Sequence, residues 1–211
     1  MTLPADMTCA VWRGTNDLRI ERQALAAPLG REVLLRVAAC GICATDLHLV
    51  DGSIPLYRPP RILGHEMAGT VVAVGPEVRS LEVGARVAID PNIPCGACFF
   101  CREAQPYMCP NRTPAIGGFA EYLRVPEQTA YRLSDGIPVE YGALAEPLSC
   151  CLHAFELASP RPGGTVAVVG AGTIGLLLTQ LARRSGASLV AVSEPDPKRR
   201  ALAARLGADL T

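Results

Sequence analysis

The chain has 211 residues, 49% of them apolar and 19% charged, which is enough to bury a core in one large domain or two small ones. Twenty basic residues balance twenty acidic ones with no basic stripe, so neither nucleic acid nor an anionic membrane is expected as a partner. No segment approaches the ~18 consecutive apolar residues of a membrane span, and the start shows no export signal, so a cytoplasmic location is expected.

Met7, directly before a strand-like run at residues 8–12, is a candidate start. Through about residue 135 the chain is rich in Gly and Pro, with short apolar runs between turn signals. Residues 33–39, 68–74, 86–89 and 119–125 read as strands, and 77–84 as a turn-rich connection, in an all-β, barrel-like pattern. Residues 139–157 read as a helix, with Ala143, Leu144, Leu148, Leu152 and Phe155 forming an apolar stripe. The break at 161–164 marks a domain junction, giving domains at 1–158 and 159–211. Beyond it come a strand (166–169), a helix (174–184, stopped by Gly186) and a second strand (189–192). A last helix is capped by Asp196, opened by Pro197 and closed by Gly207. Ile174, Leu177, Leu178 and Leu181 are expected to form the buried face of the first of these helices. The fold class is α+β: a β-barrel-like domain followed by the opening of a parallel α/β sheet.

Nine cysteines, an odd count, favour metal ligation over a disulfide framework in a reducing compartment. Cys95, Cys98, Cys101 and Cys109 form C-x2-C-x2-C-x7-C in a lobe at residues 91–112. Four thiolates suit a closed, structural Zn²⁺ site. An iron–sulfur cluster is the competitor, but its motif has a last gap of three residues rather than seven. A nucleic-acid zinc finger would want flanking basic residues, and Arg102 and Arg112 are too few. Elsewhere, Gly41-Ile-Cys-Ala-Thr-Asp-Leu-His48 and Gly64-His-Glu66 contain Cys43, His65 and Glu66, which with Glu146 have the right chemistry for an open zinc site. Spacing alone does not join them. Cys40, Cys9, Cys150, Cys151 and His153 read as packing or structural residues.

Gly170-Ala-Gly172-Thr-Ile-Gly175 sits between a buried strand and a helix. Gly170 permits the tight turn, Gly172 lets backbone approach a pyrophosphate, and Gly175 lets helix and strand pack closely. Thr173 and Ile174 open the helix whose N–H groups face the phosphates. Glu194, twenty-four residues after Gly170, is placed to bind ribose hydroxyls and repel a 2′-phosphate, favouring NAD over NADP. Lys198, Arg199 and Arg200 keep NADP as the alternative, with Arg199 a candidate cofactor contact.

Gly64-His-Glu-Met-Ala-Gly69, with Gly75 and Val78, resembles the signature of zinc-dependent medium-chain alcohol and polyol dehydrogenases. Gly41 to Asp46, the cysteine lobe and the glycine-rich turn follow in the same order, and Ala145-Glu-Pro-Leu-Ser149 resembles the sorbitol, threonine and butanediol branch. The resemblance implies a GroES-like catalytic barrel, an incomplete Rossmann domain, one catalytic and one structural zinc, NAD, and a small alcohol or polyol as substrate. It implies that Cys43 and His65 hold the catalytic zinc with Glu66 or Glu146. Asp46 would orient His65, and Thr45 and His48 would pass the hydroxyl proton outward. Full-length relatives are expected to be homo-oligomers. A complete sheet of this kind has about six strands, and only two are foreseen here. The chain is therefore expected to be C-terminally truncated, without the usual dimer edge and a poor enzyme alone. A catalytically silent zinc-binding module is the alternative.

Overall fold

The computed structural model describes residues 3–211. The chain opens with a hairpin of β1 (Asp6–Gly14) and β2 (Asp17–Ala24), turned by Asn16 at φ 56°. Next come β3 (Glu32–Gly41), α1 (Ala44–Asp51), β4 (Arg61–Ile62), β5 (Glu66–Val74) and β6 (Arg86–Ile89). A small excursion follows, with β7 (Asn92–Ile93), α2 (Phe99–Arg102) and β8 (Thr113–Pro114), before β9 (Tyr122–Pro126) and β10 (Ala130–Arg132). The strands form a five-stranded sheet ordered β10-β6-β5-β3-β9, a three-stranded sheet ordered β2-β1-β4, and the β7-β8 pair. The Cys9–Ala120 bridge and the Ala10 N–H donating to Phe119 O (2.8 Å) tie β1 to the approach to β9.

The core of this part is made by β-branched and other apolar residues, among them Val33, Leu35, Val71, Val87 and Val125. Trp12, Leu49 and Leu63 form a smaller cluster that includes α1. The strand expected at 119–125 begins only at Tyr122. The N–H groups of Gly117 and Gly118 go instead to Gly64 O, and that of Phe119 to Leu63 O, so this stretch is a loop seated on the segment before β5. The connection at 77–84 is irregular, as its composition indicates, yet firmly held. The buried Glu127 carboxylate accepts from Arg79 N–H, Ser80 N–H, Ser80 Oγ (2.6 Å) and Arg31 Nε (2.7 Å).

The stretch expected as one helix from 139 is 3₁₀ over Val139–Leu144 and continues as α3 (Ala145–Ala158). Pro147 lies in the first turn of α3, where the missing N–H costs nothing. Beyond it lie β11 (Thr165–Val169), α4 (Thr173–Arg184), β12 (Leu189–Ser193) and α5 (Pro197–Arg205). β11 and β12 pair in parallel, from Thr165 opposite Leu189 to Val169 opposite Ser193. The buried face of α4 is rotated from the expected one. Gly175, Thr179 and Ala182 are buried, whereas Ile174 is 47% exposed, because the small residues let the helix lie close to the strands. Asp196 caps α5 by accepting from the N–H groups of Lys198 and Arg199, as its position indicates. The chain divides into two compact units, one ending at Glu146 and the other beginning at Pro147. Among the described residues no helix is long and apolar enough to cross a membrane.

Candidate functional site

β3 ends at Gly41, and Cys43 stands at the N-cap of α1 with its thiol in the loop between strand and helix. Asp46, in the first helical turn and only 3% exposed, accepts from Cys43 N–H at 3.0 Å and from Gly64 N–H at 3.2 Å. A carboxyl so buried needs such partners, and here they come from both sides of the site. Gly64 has φ 90°, and a Cβ there would meet Phe119 N and Cys40 Sγ within 2.9 Å, so only glycine makes this turn into β5. The turn presents His65, whose Nδ1 lies 3.5 Å from Asp46 Oδ1. The Asp46 contact, reinforced by the Cys43 thiol, raises the imidazole to about 9 despite burial. With Nδ1 facing Asp46, Nε2 is the nitrogen left for a cation, in the arrangement typical of a metal-ligating histidine. Glu66, first residue of β5, pairs with Gly41 of β3, and its carboxylate occupies the space a Cβ on Gly41 would take.

The donor atoms of Cys43, His65 and Glu66 all lie within 4.8 Å of one another. Tetrahedral zinc with bonds of about 2.0–2.3 Å needs ligand atoms roughly 3.3–3.8 Å apart, so this donor set fits such an ion. Glu146, half-buried in the first turn of α3, is not part of that group. Thr45 is half-buried, with Oγ1 3.7 Å from Cys43 Sγ. His48 is half-exposed on α1, its Nδ1 3.1 Å from Ser53 Oγ. Cys40 packs against the core, and burial pushes its thiol up to about 12, as befits a packing residue.

The four-cysteine lobe is assembled by β7, α2 and the turn before β8. Sγ–Sγ separations of 3.9 Å (Cys95–Cys101), 3.5 Å (Cys98–Cys101) and 3.8 Å (Cys98–Cys109) match the roughly 3.8 Å edge of a tetrahedron with Zn–S bonds near 2.3 Å. The backbone N–H groups of Ala97 and Cys98 draw the Cys95 thiol down to about 6. Burial and then the neighbouring Cys98 thiol push Cys101 up to about 12. Four sulfurs gathered in this way offer a cation a complete donor set.

In the second unit Gly170 adopts φ 91° at the end of β11, and Gly172 caps α4 with its would-be Cβ direction open. A Cβ on Gly175 would strike Gly170 O, so helix and turn touch there. Gly172 supplies no side-chain cap, which leaves the N–H groups of the first turn, at Thr173 and Ile174, for an anion. Glu194 follows β12 and accepts from Ala171 N–H at 2.7 Å and Asp196 N–H at 2.9 Å. These bonds, that from Asp196 foremost, hold its carboxyl below the ordinary range. Arg199 lies in the first turn of α5, and its charge acts on Glu194 in the same direction.

Three contributors went unread in the sequence. Gly41 makes room for Glu66, and Asp51 and Ser53 gather around His48. The signal for the last two was the Asp-Gly-Ser run after the helix, an Asx-type turn.

A family model for the alcohol dehydrogenase GroES-like domain matches residues 30–135. A sorbitol dehydrogenase of Bacillus subtilis (strain 168) is 36% identical over 98% of this chain and 61% of its own length. An L-threonine 3-dehydrogenase of Pyrococcus abyssi is 44% identical over 84% of this chain and 53% of its own. The crystal structure of a zinc-binding dehydrogenase from Sinorhizobium meliloti 1021, bound to NADP, superposes with a TM-score of 0.92 at 39% identity, covering 99% of this chain and 62% of that one. The chain thus spans 53–62% of the length of these three proteins. With its matching GroES-like model, its relatives among the polyol and threonine dehydrogenases and its two donor clusters, the chain belongs to the zinc-type medium-chain alcohol dehydrogenase family.

Proposed function

We propose that this chain binds two zinc ions and a nicotinamide dinucleotide and serves the reversible oxidation of a CH–OH group in a small alcohol or polyol. The observation that carries the reading is the convergence of Cys43, His65 and Glu66 within 4.8 Å, backed by Asp46 against the imidazole. Cys43 and His65 would hold the catalytic ion with Glu66, Glu146 being the alternative third ligand, and the four cysteines would hold the structural one. When bound, the metal supplies Lewis-acid polarisation of a hydroxyl, and the dinucleotide supplies a hydride acceptor.

The protein's own residues do the rest. Asp46 keeps the His65 ring in one orientation and tautomer. Thr45 would accept the substrate's hydroxyl proton while giving up its own, and His48, at the exposed end of α1, would pass that proton to solvent. Gly170 to Gly175 hold the pyrophosphate against the start of α4. Glu194, kept anionic by backbone N–H groups, accepts the ribose hydroxyls and disfavours a 2′-phosphate, so NAD is the preferred cofactor, with Lys198 and Arg199 behind it.

The test is metal and cofactor stoichiometry on the whole chain. Two zinc ions per chain are expected, falling to one in Cys43→Ser with the four-cysteine ion retained. Calorimetric titration should show NAD binding more tightly than NADP, and Glu194→Ala should erode that preference. Any NAD reduction over an alcohol and polyol panel should vanish on chelation. One zinc per chain, or no dinucleotide binding, would reduce the protein to a zinc-binding module.

A further inference from the structure

The C-terminal end of α1 carries a polar cluster that the metal centre does not use. Gly52, at φ 83°, folds the chain back so that Ser53 returns over the helix end. Ser53 Oγ lies 2.6 Å from Asp51 Oδ1, and Ser53 N–H donates to the same oxygen at 2.8 Å. His48 Nδ1 lies 3.1 Å from Ser53 Oγ and 3.7 Å from Asp51 Oδ2.

A hydroxyl has one proton to give, and these distances decide where it goes. The other acceptors in reach, a bare His48 Nδ1 at 3.1 Å and His48 O at 3.4 Å, are both farther and uncharged, so the 2.6 Å charge-assisted bond to the carboxylate takes the proton. The Ser53 hydroxyl, then the Ser53 N–H, hold the Asp51 carboxyl below its ordinary range, so it is an acceptor only. Both groups facing His48 Nδ1 thus offer lone pairs and no hydrogen, and a neutral ring meets them favourably only if Nδ1 bears the proton. We propose that Asp51 and Ser53 are positioning residues that fix neutral His48 as the Nδ1–H tautomer and leave Nε2 bare as a proton acceptor. The use of that acceptor rests on the dehydrogenase reading: a bare Nε2 can take the proton leaving Thr45, whereas an Nε2–H cannot. The tautomer itself needs neither zinc nor cofactor.

Nitrogen-15 shifts of the imidazoles, recorded at a pH where the rings are neutral, read the tautomer directly. The chain has three histidines, and His48→Gln assigns the resonances by loss. Wild type should show a pyrrole-type Nδ1 and a pyridine-type Nε2, the reverse of free imidazole side chains in water. Ser53→Ala and the double variant Asp51→Asn/Ser53→Ala should move the ring toward Nε2–H. A wild-type ring protonated on Nε2, or a tautomer unmoved in both variants, overturns the proposal, and the wild-type spectrum alone can do so if a variant fails to fold. A fixed Nδ1–H in a chain that binds no dinucleotide would uphold the positioning and count against the dehydrogenase reading instead.

Discussion

Asp46 serves three neighbours at once, capping Cys43, holding Gly64 and facing His65. Replacing it with Asn keeps an acceptor oxygen for only one of the two backbone N–H groups and removes the anion beside the imidazole. Asp46→Asn should therefore weaken zinc at the Cys43 centre by roughly 10- to 100-fold while the cysteine lobe keeps its affinity, read by competition with a chromogenic chelator. Gly41→Ala is aimed at a different atom. The added methyl would occupy the position of the Glu66 carboxylate, with the Glu66 Cβ only 3.1 Å away, so the third donor must swing off. The same competition assay should show weaker zinc there with an unchanged circular dichroism spectrum; full affinity would remove Glu66 from the ligand set. At this scale the sequence told a good deal. That the four lobe cysteines gather was legible from their spacing, and that Cys43 meets His65 from motif order. The approach of Glu66 was not, because it depends on a strand pairing, Gly41 against Glu66, that no local pattern announces.

Among the elements, the loop at 77–84 depends on one buried side chain. The Ser80 hydroxyl, the N–H groups of Arg79 and Ser80, and the Arg31 guanidinium hold the Glu127 carboxyl down to about 2, from its usual 4.5. A group whose pKa is lower in the folded state contributes fully above its unfolded value and loses that contribution as pH falls through the folded one. The stabilisation is therefore complete above about pH 4.5 and fades toward pH 2. Glu127→Gln should lower stability at neutral pH and flatten the acid limb in that window, seen by urea unfolding at pH 7, 4 and 2.5. An acid limb as steep as wild type's would show that other carboxylates set it. Elements with strong local signals, such as β6, β11 and the capped α5, were legible at nearly their true bounds. β2 escaped because Leu18 and Ile20 are 49% and 75% exposed, so its alternation encloses no core. α1 escaped because it buries only Asp46 and Leu49, too few positions to give an apolar period. On α4 the large apolar residues gave the buried face only in part: Leu178 packs on the core, but the fully buried positions are the small Gly175, Thr179 and Ala182, which close packing on strands selects.

For the molecule as a whole, the two compact units have separate cores, one around Val33 and Val71 and the other around Val168 and Val190. Ligands that bind one unit should stabilise that unit alone. Calorimetry should show zinc removal lowering one transition and NAD raising the other, by about 2.7 kcal/mol when the dinucleotide is at a hundred times its Kd. Equal movement of both transitions would mean that the units unfold as one. The segments at residues 41–46 and 64–69, the cysteine lobe and the glycine-rich turn each lie within one unit, whereas that at 145–149 straddles the boundary between Glu146 and Pro147. The cysteine lobe adds a practical consequence. Sulfurs 3.5–3.9 Å apart suit a shared cation, but once it is stripped they are close enough for air to convert a pair of them into a disulfide. Protein dialysed against chelator without reductant would then refuse reloading, and a fall in titratable thiols would be the sign that the preparation, rather than the sequence, had lost its metal.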